Sequence, residues 1–154
     1  MIIGLLKENL KENRVSLLPE AVSALIKKKT EVWVEGDAGQ RAFAYNSDYE
    51  SVGAKIKTKD DIFNGADVLL RINPPENSEL DLISENQVFL GVLNPLAEKT
   101  LVEDMLKKKI TSFSLDSIPR TSRAQAMDIL SSQATASGYR AEIGRASCRE
   151  RVYC

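Results

Sequence analysis

Apolar and polar residues follow one another in short blocks, and the blocks alternate in period. Residues 1–6 (MIIGLL) form an apolar run that stops at Lys7, Glu8 and Asn9, the pattern of a buried strand followed by a loop. Leu18, Pro19 and Glu20 then open a helix, with proline at a first-turn position and an acid near the positive end of the dipole. Ala21, Val22, Leu25 and Ile26 give it one apolar face, and Lys27, Lys28 and Lys29 close it where positive charge is favoured. Residues 31–35 (EVWVE) are β-branched and aromatic and predict a second strand, broken by Gly36, Asp37, Ala38 and Gly39. Ser47 is positioned to cap a short helix running to Gly53, and Asp60 or Asp61 to start another that ends at Gly65. Residues 67–72 (DVLLRI) and 87–93 (QVFLGVL) predict strands that stop at Asn73-Pro74-Pro75 and Asn94-Pro95. Residues 96–109 are amphipathic through Leu101, Val102, Met105 and Leu106, and residues 110–115 predict a further strand.

Strands and helices alternating at this spacing predict βα units: an α/β fold, Rossmann-like (flavodoxin-like), with a mainly parallel sheet and helices on both faces. Neither a solenoid repeat, nor a linker, nor a low-complexity tract interrupts residues 1–141, which are read as one domain.

Composition narrows the chemistry. A chain of 154 residues buries roughly 70% of its unfolded surface. With 21 basic and 22 acidic side chains its net charge is −1, which supplies no long-range attraction for nucleic acid or anionic lipid. It has no histidine, so His-based triads, His general bases and His-ligated zinc are excluded. The two cysteines, Cys148 and Cys154, lie near the end and do not make a cysteine-rich metal site. No basic-then-apolar leader precedes Ile2, from which a reducing cytoplasmic setting is expected. Residues 142–154 hold both cysteines and three of the nine arginines without a sustained apolar face. They suit a sequencing-adapter oligonucleotide translated in frame better than a basic tail, a thiol pair or a plain irregular terminus. They are therefore set apart from the fold. On that reading the chain is the N-terminal piece of a longer, C-terminally truncated protein.

Ligands of parallel sheets bind beyond the carboxyl ends of the strands, and three segments lie there. Residues 7–14 (KENLKENR) carry Arg14, which suits a bidentate grip on a carboxylate or phosphate or belongs to a solvated loop. Asn73 and Asn94 each follow a strand and either bond a ligand or serve the turn before a proline. Residues 117–128 (SIPRTSRAQAMD) combine two arginines, a glutamine, an aspartate and three hydroxyls with few packing residues. Asp128 can cap the helix that follows, leaving Arg120, Arg123 and Gln125 to reach outward. A polar surface loop explains the same composition, although loops of this length inside α/β domains are more often functional than ordinary connections. Gly-x-Gly-x-x-Gly and Gly-x-x-x-x-Gly-Lys are both absent, and the close pair Gly36 and Gly39 lacks a third glycine.

At these segments the sequence resembles the N-terminal domain shared by alanine dehydrogenase and the alpha subunit of proton-translocating NAD(P) transhydrogenase. The residues that carry the resemblance are Lys7-Glu8, Glu12-Asn13-Arg14-Val15, Pro19-Glu20-Ala21-Val22, the run from Ile118 to Asp128, Leu130-Ser131-Ser132-Gln133 and Gly138-Tyr139. The match covers about residues 1–141. Alanine dehydrogenase uses a lysine after the strand ending at Ile72 and a histidine after the strand ending at Leu93, where this chain has Asn73 and Asn94. A keto acid is then neither held nor protonated, so the resemblance favours the transhydrogenase branch and leaves an NAD-dependent amino-acid dehydrogenase as the alternative. A binding module without catalysis is the third reading.

The resemblance implies the first of two Rossmann-like domains of an NAD(H)-binding oxidoreductase component, the second lying beyond residue 141 with the glycine-rich turn. It implies hydride transfer between NAD(H) and an NADP(H) held by a partner subunit, coupled to proton translocation. It also implies a membrane-embedded partner, a homodimer, and a cytoplasmic location at the periphery of the inner membrane, while the absence of a transit leader before Met1 favours a bacterial, split-subunit origin. By place in the motif the cofactor-binding residues are Arg120, Thr121, Ser122, Arg123, Gln125, Asp128, Ser131 and Tyr139, with no acid–base catalytic residue and no metal. Their work is orientation of the nicotinamide end for hydride transfer.

Overall fold

The computed structural model describes residues 1–150 apart from Asn86 and Arg120, and gives the backbone alone for residues 126 and 143–150. The chain divides into two compact units, Met1–Ser114 and a second from Leu115 onward.

The first unit holds a six-stranded sheet in which every pairing is parallel. Its strands are β1 (Ile2–Leu5), β2 (Glu31–Glu35), β3 (Lys55–Lys57), β4 (Val68–Leu70), β5 (Val88–Gly91) and β6 (Thr111–Ser114), in the order β3-β2-β1-β4-β5-β6. Without the edge strand β3 this is the flavodoxin order, and β3 extends it to the Rossmann order. Either way the chain reverses its direction of travel between β1 and β4, the topological switch point.

Five helices cover the sheet on both faces: α1 (Pro19–Lys27), α2 (Asn46–Ser51), α3 (Lys59–Gly65), α4 (Asn77–Leu80) and α5 (Lys99–Lys107). Val22 of α1 and Tyr49 of α2 pack with Ile3, Leu5, Val32 and Val34 in one core. Ile62 and Phe63 of α3, Leu80 of α4 and Met105 of α5 pack with Leu69 and Phe89 in the other. The period-2 alternation of β1, β2 and β4 feeds both cores, which is why their sequences read as nearly continuous apolar runs. Gly4 sets the closeness of α3 to β1: a Cβ there would lie 2.4 Å from Ile62 Cγ2 and 2.9 Å from Ala66 Cβ.

Helix ends depart from the sequence expectation in three places. The helix expected from a Ser47 cap begins two residues earlier, with Tyr45 at the cap position, because the Asp48 carboxylate accepts from the Tyr45 N–H at 2.8 Å. Asn46 meanwhile closes the turn after β2, exchanging hydrogen bonds with Asp37 at 2.9 and 3.0 Å. In α3 the cap is Thr58, whose hydroxyl accepts from the Asp61 N–H at 3.2 Å, so Asp61 is the third helical residue and not the start. Helix α5 starts at Lys99 and not at residue 96, because Asn94 adopts a left-handed φ of 46° and its carbonyl accepts from the Ala97 and Glu98 N–H groups.

Both α1 and α5 end on a lysine triplet whose last member takes a left-handed φ, 64° at Lys29 and 53° at Lys109. The next N–H reaches back to the last turn in each, Thr30 to Leu25 and Ile110 to Met105. This is the geometry usually given to glycine.

The second unit contains the loop of residues 117–128, with a short 3-10 turn at Gln125–Met127, and the helix α6 (Ile129–Glu150). From Leu130 to Glu142 the residues of α6 are exposed on every side.

Candidate functional site

At the switch point the first unit gathers charge that the sequence pattern does not single out. Strand β1 delivers Glu8 and strand β4 delivers Arg71, both buried. Arg71 Nη1 donates to Glu79 Oε2 at 2.5 Å, and its Nε faces Glu8 Oε2 at 3.7 Å. Lys59 Nζ pairs with Glu79 Oε1 at 2.6 Å. The chain Glu8–Arg71–Glu79–Lys59 therefore alternates in sign and is neutral as a whole. Burial pushes the Glu79 carboxyl up, but the Lys59 ammonium, the Glu76 N–H and the Arg71 guanidinium together hold it below the usual carboxylate value. Gly91 on β5 admits the Arg71 backbone, since a Cβ there would stand 2.6 Å from the Arg71 carbonyl oxygen.

Glu8 also organises the exit of β4. Its Oε1 accepts from the Ile72 N–H at 2.5 Å and from the Ser16 hydroxyl at 3.4 Å. Its Oε2 accepts from the Asn73 N–H at 3.2 Å and from Asn73 Nδ2 at 2.9 Å. Of the two asparagines expected to serve either a ligand or a turn, Asn73 is thus engaged by a buried carboxylate and Asn94 shapes the turn before α5. Arg14, the expected anion grip, is held by Glu12: Nε donates to Oε1 at 2.9 Å and Nη2 to Oε2 at 2.7 Å. Those hydrogen bonds bring the Glu12 carboxyl down to about 2. The available signal for this cluster was a charged residue, Arg71, at the end of an apolar strand, since an arginine there is buried only when paired.

In the second unit Asp128 is buried and caps α6. Its Oδ1 accepts from the Leu130 and Ser131 N–H groups at 3.0 and 3.2 Å, and Oδ2 accepts from the Ser131 hydroxyl at 2.6 Å. That is the capping role expected of it. The 3-10 turn brings Gln125 beside this cap, and Gln125, Met127, Asp128, Ile129, Ser131, Ser132 and Thr135 line an open groove of about 300 Å³. Three of the expected site residues, Gln125, Asp128 and Ser131, therefore meet. Thr121, Ser122 and Arg123 are exposed on the loop but do not line the groove. Tyr139 lies eight residues after Ser131 on α6, roughly 12 Å further along the axis. Arg120 lies outside the described residues. Among the described residues no group of three His, Cys, Asp or Glu side chains could hold a metal ion, and no helix is long and apolar enough to cross a membrane.

Fold and site together define a doubly wound α/β unit whose switch point is filled by its own charges, followed in the chain by a second unit that carries an exposed polar loop. The family model for the alanine dehydrogenase/PNT N-terminal domain matches residues 4–137, and the chain belongs to that family. It is 36% identical over 144 residues to the NAD(P) transhydrogenase subunit alpha of Haemophilus influenzae, covering 93% of this chain and 28% of that protein. The crystal structure of transhydrogenase from Sinorhizobium meliloti superposes with a TM-score of 0.89 at 32% identity, over 96% of this chain and 44% of that one. An L-alanine dehydrogenase structure gives 0.73 at 27% identity, over 77% of this chain and 33% of that one. The likeness is thus greater to transhydrogenase, and the chain spans less than half the length of these transhydrogenase relatives.

Proposed function

We propose that this chain is the first domain of the NAD(H)-binding component of a proton-translocating transhydrogenase, and that its loop aligns the nicotinamide end of NAD(H). The observation that carries the reading is Asn73: the residue at the exit of β4 is an amide bound to buried Glu8, and it supplies neither a cation nor a general acid to an oxo-acid substrate. Hydride exchange between two nicotinamides needs neither, because no oxygen of a substrate is protonated. The exposed amide of Gln125 fits the hydrogen-bonding pattern of a carboxamide, and it lines the same groove as Asp128 and Ser131, whose mutual bond fixes the start of α6. Nothing in the turn after β1 fits a pyrophosphate, since that turn is Leu6-Lys7-Glu8 with its carboxylate turned inward. NAD(H), when bound, supplies the hydride, and this chain's residues orient it.

In this reading the pyrophosphate is held by a second, glycine-rich domain beyond residue 141. NADP(H) sits on a partner subunit, a membrane-embedded subunit carries the protons, and the component is a dimer at the cytoplasmic face of the inner membrane. Arg120, Thr121, Ser122, Arg123 and Tyr139 join Gln125, Asp128 and Ser131 as the cofactor-side set.

The test uses the full-length subunit reconstituted with its NADP(H)-binding partner. Stopped-flow hydride transfer from NADH to an NADP+ analogue should proceed, and alanine-dependent reduction of NAD+ should not. Alanine oxidation at a rate comparable with transfer would favour the amino-acid dehydrogenase instead.

A further inference from the structure

We infer that the groove at the start of α6 is an acceptor surface, which selects a nicotinamide carboxamide and rejects the carboxylate of the corresponding nicotinic acid dinucleotide. A bare helix start attracts anions, because its first N–H groups point outward and carry about half a unit of positive charge. Here that end is filled from within. Leu130 and Ser131 N–H donate to Asp128 Oδ1 at 3.0 and 3.2 Å, and Ser132 N–H donates to the Asp128 carbonyl at 3.4 Å. The Asp128 carboxylate sets a full negative charge against the partial positive one, so the end of α6 is negative on balance.

The hydroxyls that line the groove lean the same way. Ser131 Oγ donates to Asp128 Oδ2 at 2.6 Å, Ser132 Oγ to the Ile129 carbonyl at 2.9 Å, and Thr135 Oγ1 to the Ser131 carbonyl at 3.0 Å. A hydroxyl has one hydrogen to give, and each of these has given it to the chain. What remains for a ligand is lone pairs. Among the described side chains of the groove, only the Gln125 amide both donates and accepts, and none is a lysine or an arginine. A carboxamide matches such a surface: its oxygen accepts from Gln125 Nε2 and its NH2 donates to the hydroxyl oxygens. A carboxylate of the same shape has no hydrogen to give, so Gln125 satisfies one oxygen and the other faces lone pairs and the Asp128 charge. A polar group left unpaired is what lets a hydrogen-bonding site reject a near-isostere strongly. Ser132 and Thr135 are thereby specificity-determining residues.

The inference rests on the reading that this groove meets the nicotinamide end of NAD(H), and its test measures binding apart from hydride transfer. Calorimetry with the full-length subunit compares NADH with reduced nicotinic acid adenine dinucleotide, which differs only in having a carboxylate for the carboxamide. The adenine half is common to both, so the ratio of dissociation constants reports this end alone. NADH should bind more tightly by a factor on the order of ten. Asp128→Asn keeps the cap, since asparagine and aspartate cap about equally well, but removes the charge, and the ratio should shrink several-fold. Thr135→Val exchanges a hydroxyl for a methyl at nearly constant volume. It should weaken NADH several-fold and leave the carboxylate dinucleotide unchanged. Equal affinities for the two dinucleotides in the parent, or an unchanged ratio in either variant, would overturn the inference. A subunit that shows the preference yet passes no hydride to NADP+ would uphold the acceptor surface and overturn the transhydrogenase reading instead.

Discussion

The two units of this chain use polar side chains in opposite ways. In the first, Glu8, Arg71, Glu79 and Gln87 are buried and bonded to one another or to the backbone. In the second, Thr121, Ser122, Arg123 and Gln125 lie on the surface, and the buried aspartate of the motif serves to fix the helix start. A polar group turned inward over-determines the backbone around it, while one turned outward is available to a ligand. The same residue types thus mark a scaffold in one place and a working surface in the other, and only burial separates them.

Substitutions should divide along that line. The largest effect is expected from Arg71→Ala, which removes the buried cation that stands between the Glu8 and Glu79 carboxylates. Loss of one member of such a group costs about 3–5 kcal/mol, read as a lower midpoint in urea unfolding of this chain. Gln125→Asn should do the reverse: an unchanged unfolding midpoint, and in the full-length subunit a slowing of single-turnover hydride transfer on the order of 10²-fold with little change in NADH affinity. A Gln125→Asn subunit that transfers at the parental rate would erase the contrast between the units.

A smaller effect separates Glu12 from the buried cluster. Its carboxyl stands at about 2 because of Arg14, below its value in the unfolded chain. A group depressed in the folded state contributes stability that is complete above the unfolded value and is lost as pH falls through the folded one. Unfolding free energy should therefore decline between the ordinary carboxylate range, about 4.3, and pH 2. Glu12→Gln should flatten that stretch of the profile, and an unchanged acid limb would assign the decline to other carboxylates. The smallest expected change is a gain. Lys29→Gly relieves a left-handed φ at a helix end and should stabilise by about 0.5–1 kcal/mol, seen as a raised thermal midpoint.

Much of the sheet was legible because its strands carry the signal locally. Residues 31–35 and the helix opening at Pro19 appear where the pattern puts them. Strand β3 was not foreseen: Lys55-Ile56-Lys57 offers one apolar residue in three, and it exists by pairing with Trp33, Val34 and Glu35. Helix α4, four residues with Asn77 and Ser78 at its start, is too short to show a period. The switch-point cluster was signalled only at one end, by Arg71 closing an apolar strand. Glu8 and Arg71 are 63 positions apart, and nothing near either residue announces the other. The loop of residues 117–128 was legible as a candidate because its composition is unlike that of its surroundings. That Asp128 caps α6 followed from its place before an apolar pair.

Gln87 ties this architecture to the order in which it assembles. Its Nε2 donates to the carbonyls of Phe63 and Ala66 at 2.6 and 2.8 Å, and its Oε1 accepts from Ser84 N–H at 2.8 Å. Those two carbonyls belong to the end of α3, where a helix has no partners of its own. Until the segment leading into β5 arrives, more than twenty residues later in the chain, the last turn of α3 can only bond to water, and it gains its buried ending when the sheet grows past β4. The helix end and the strand should consequently form and open together, as one cooperative step in native-state hydrogen exchange.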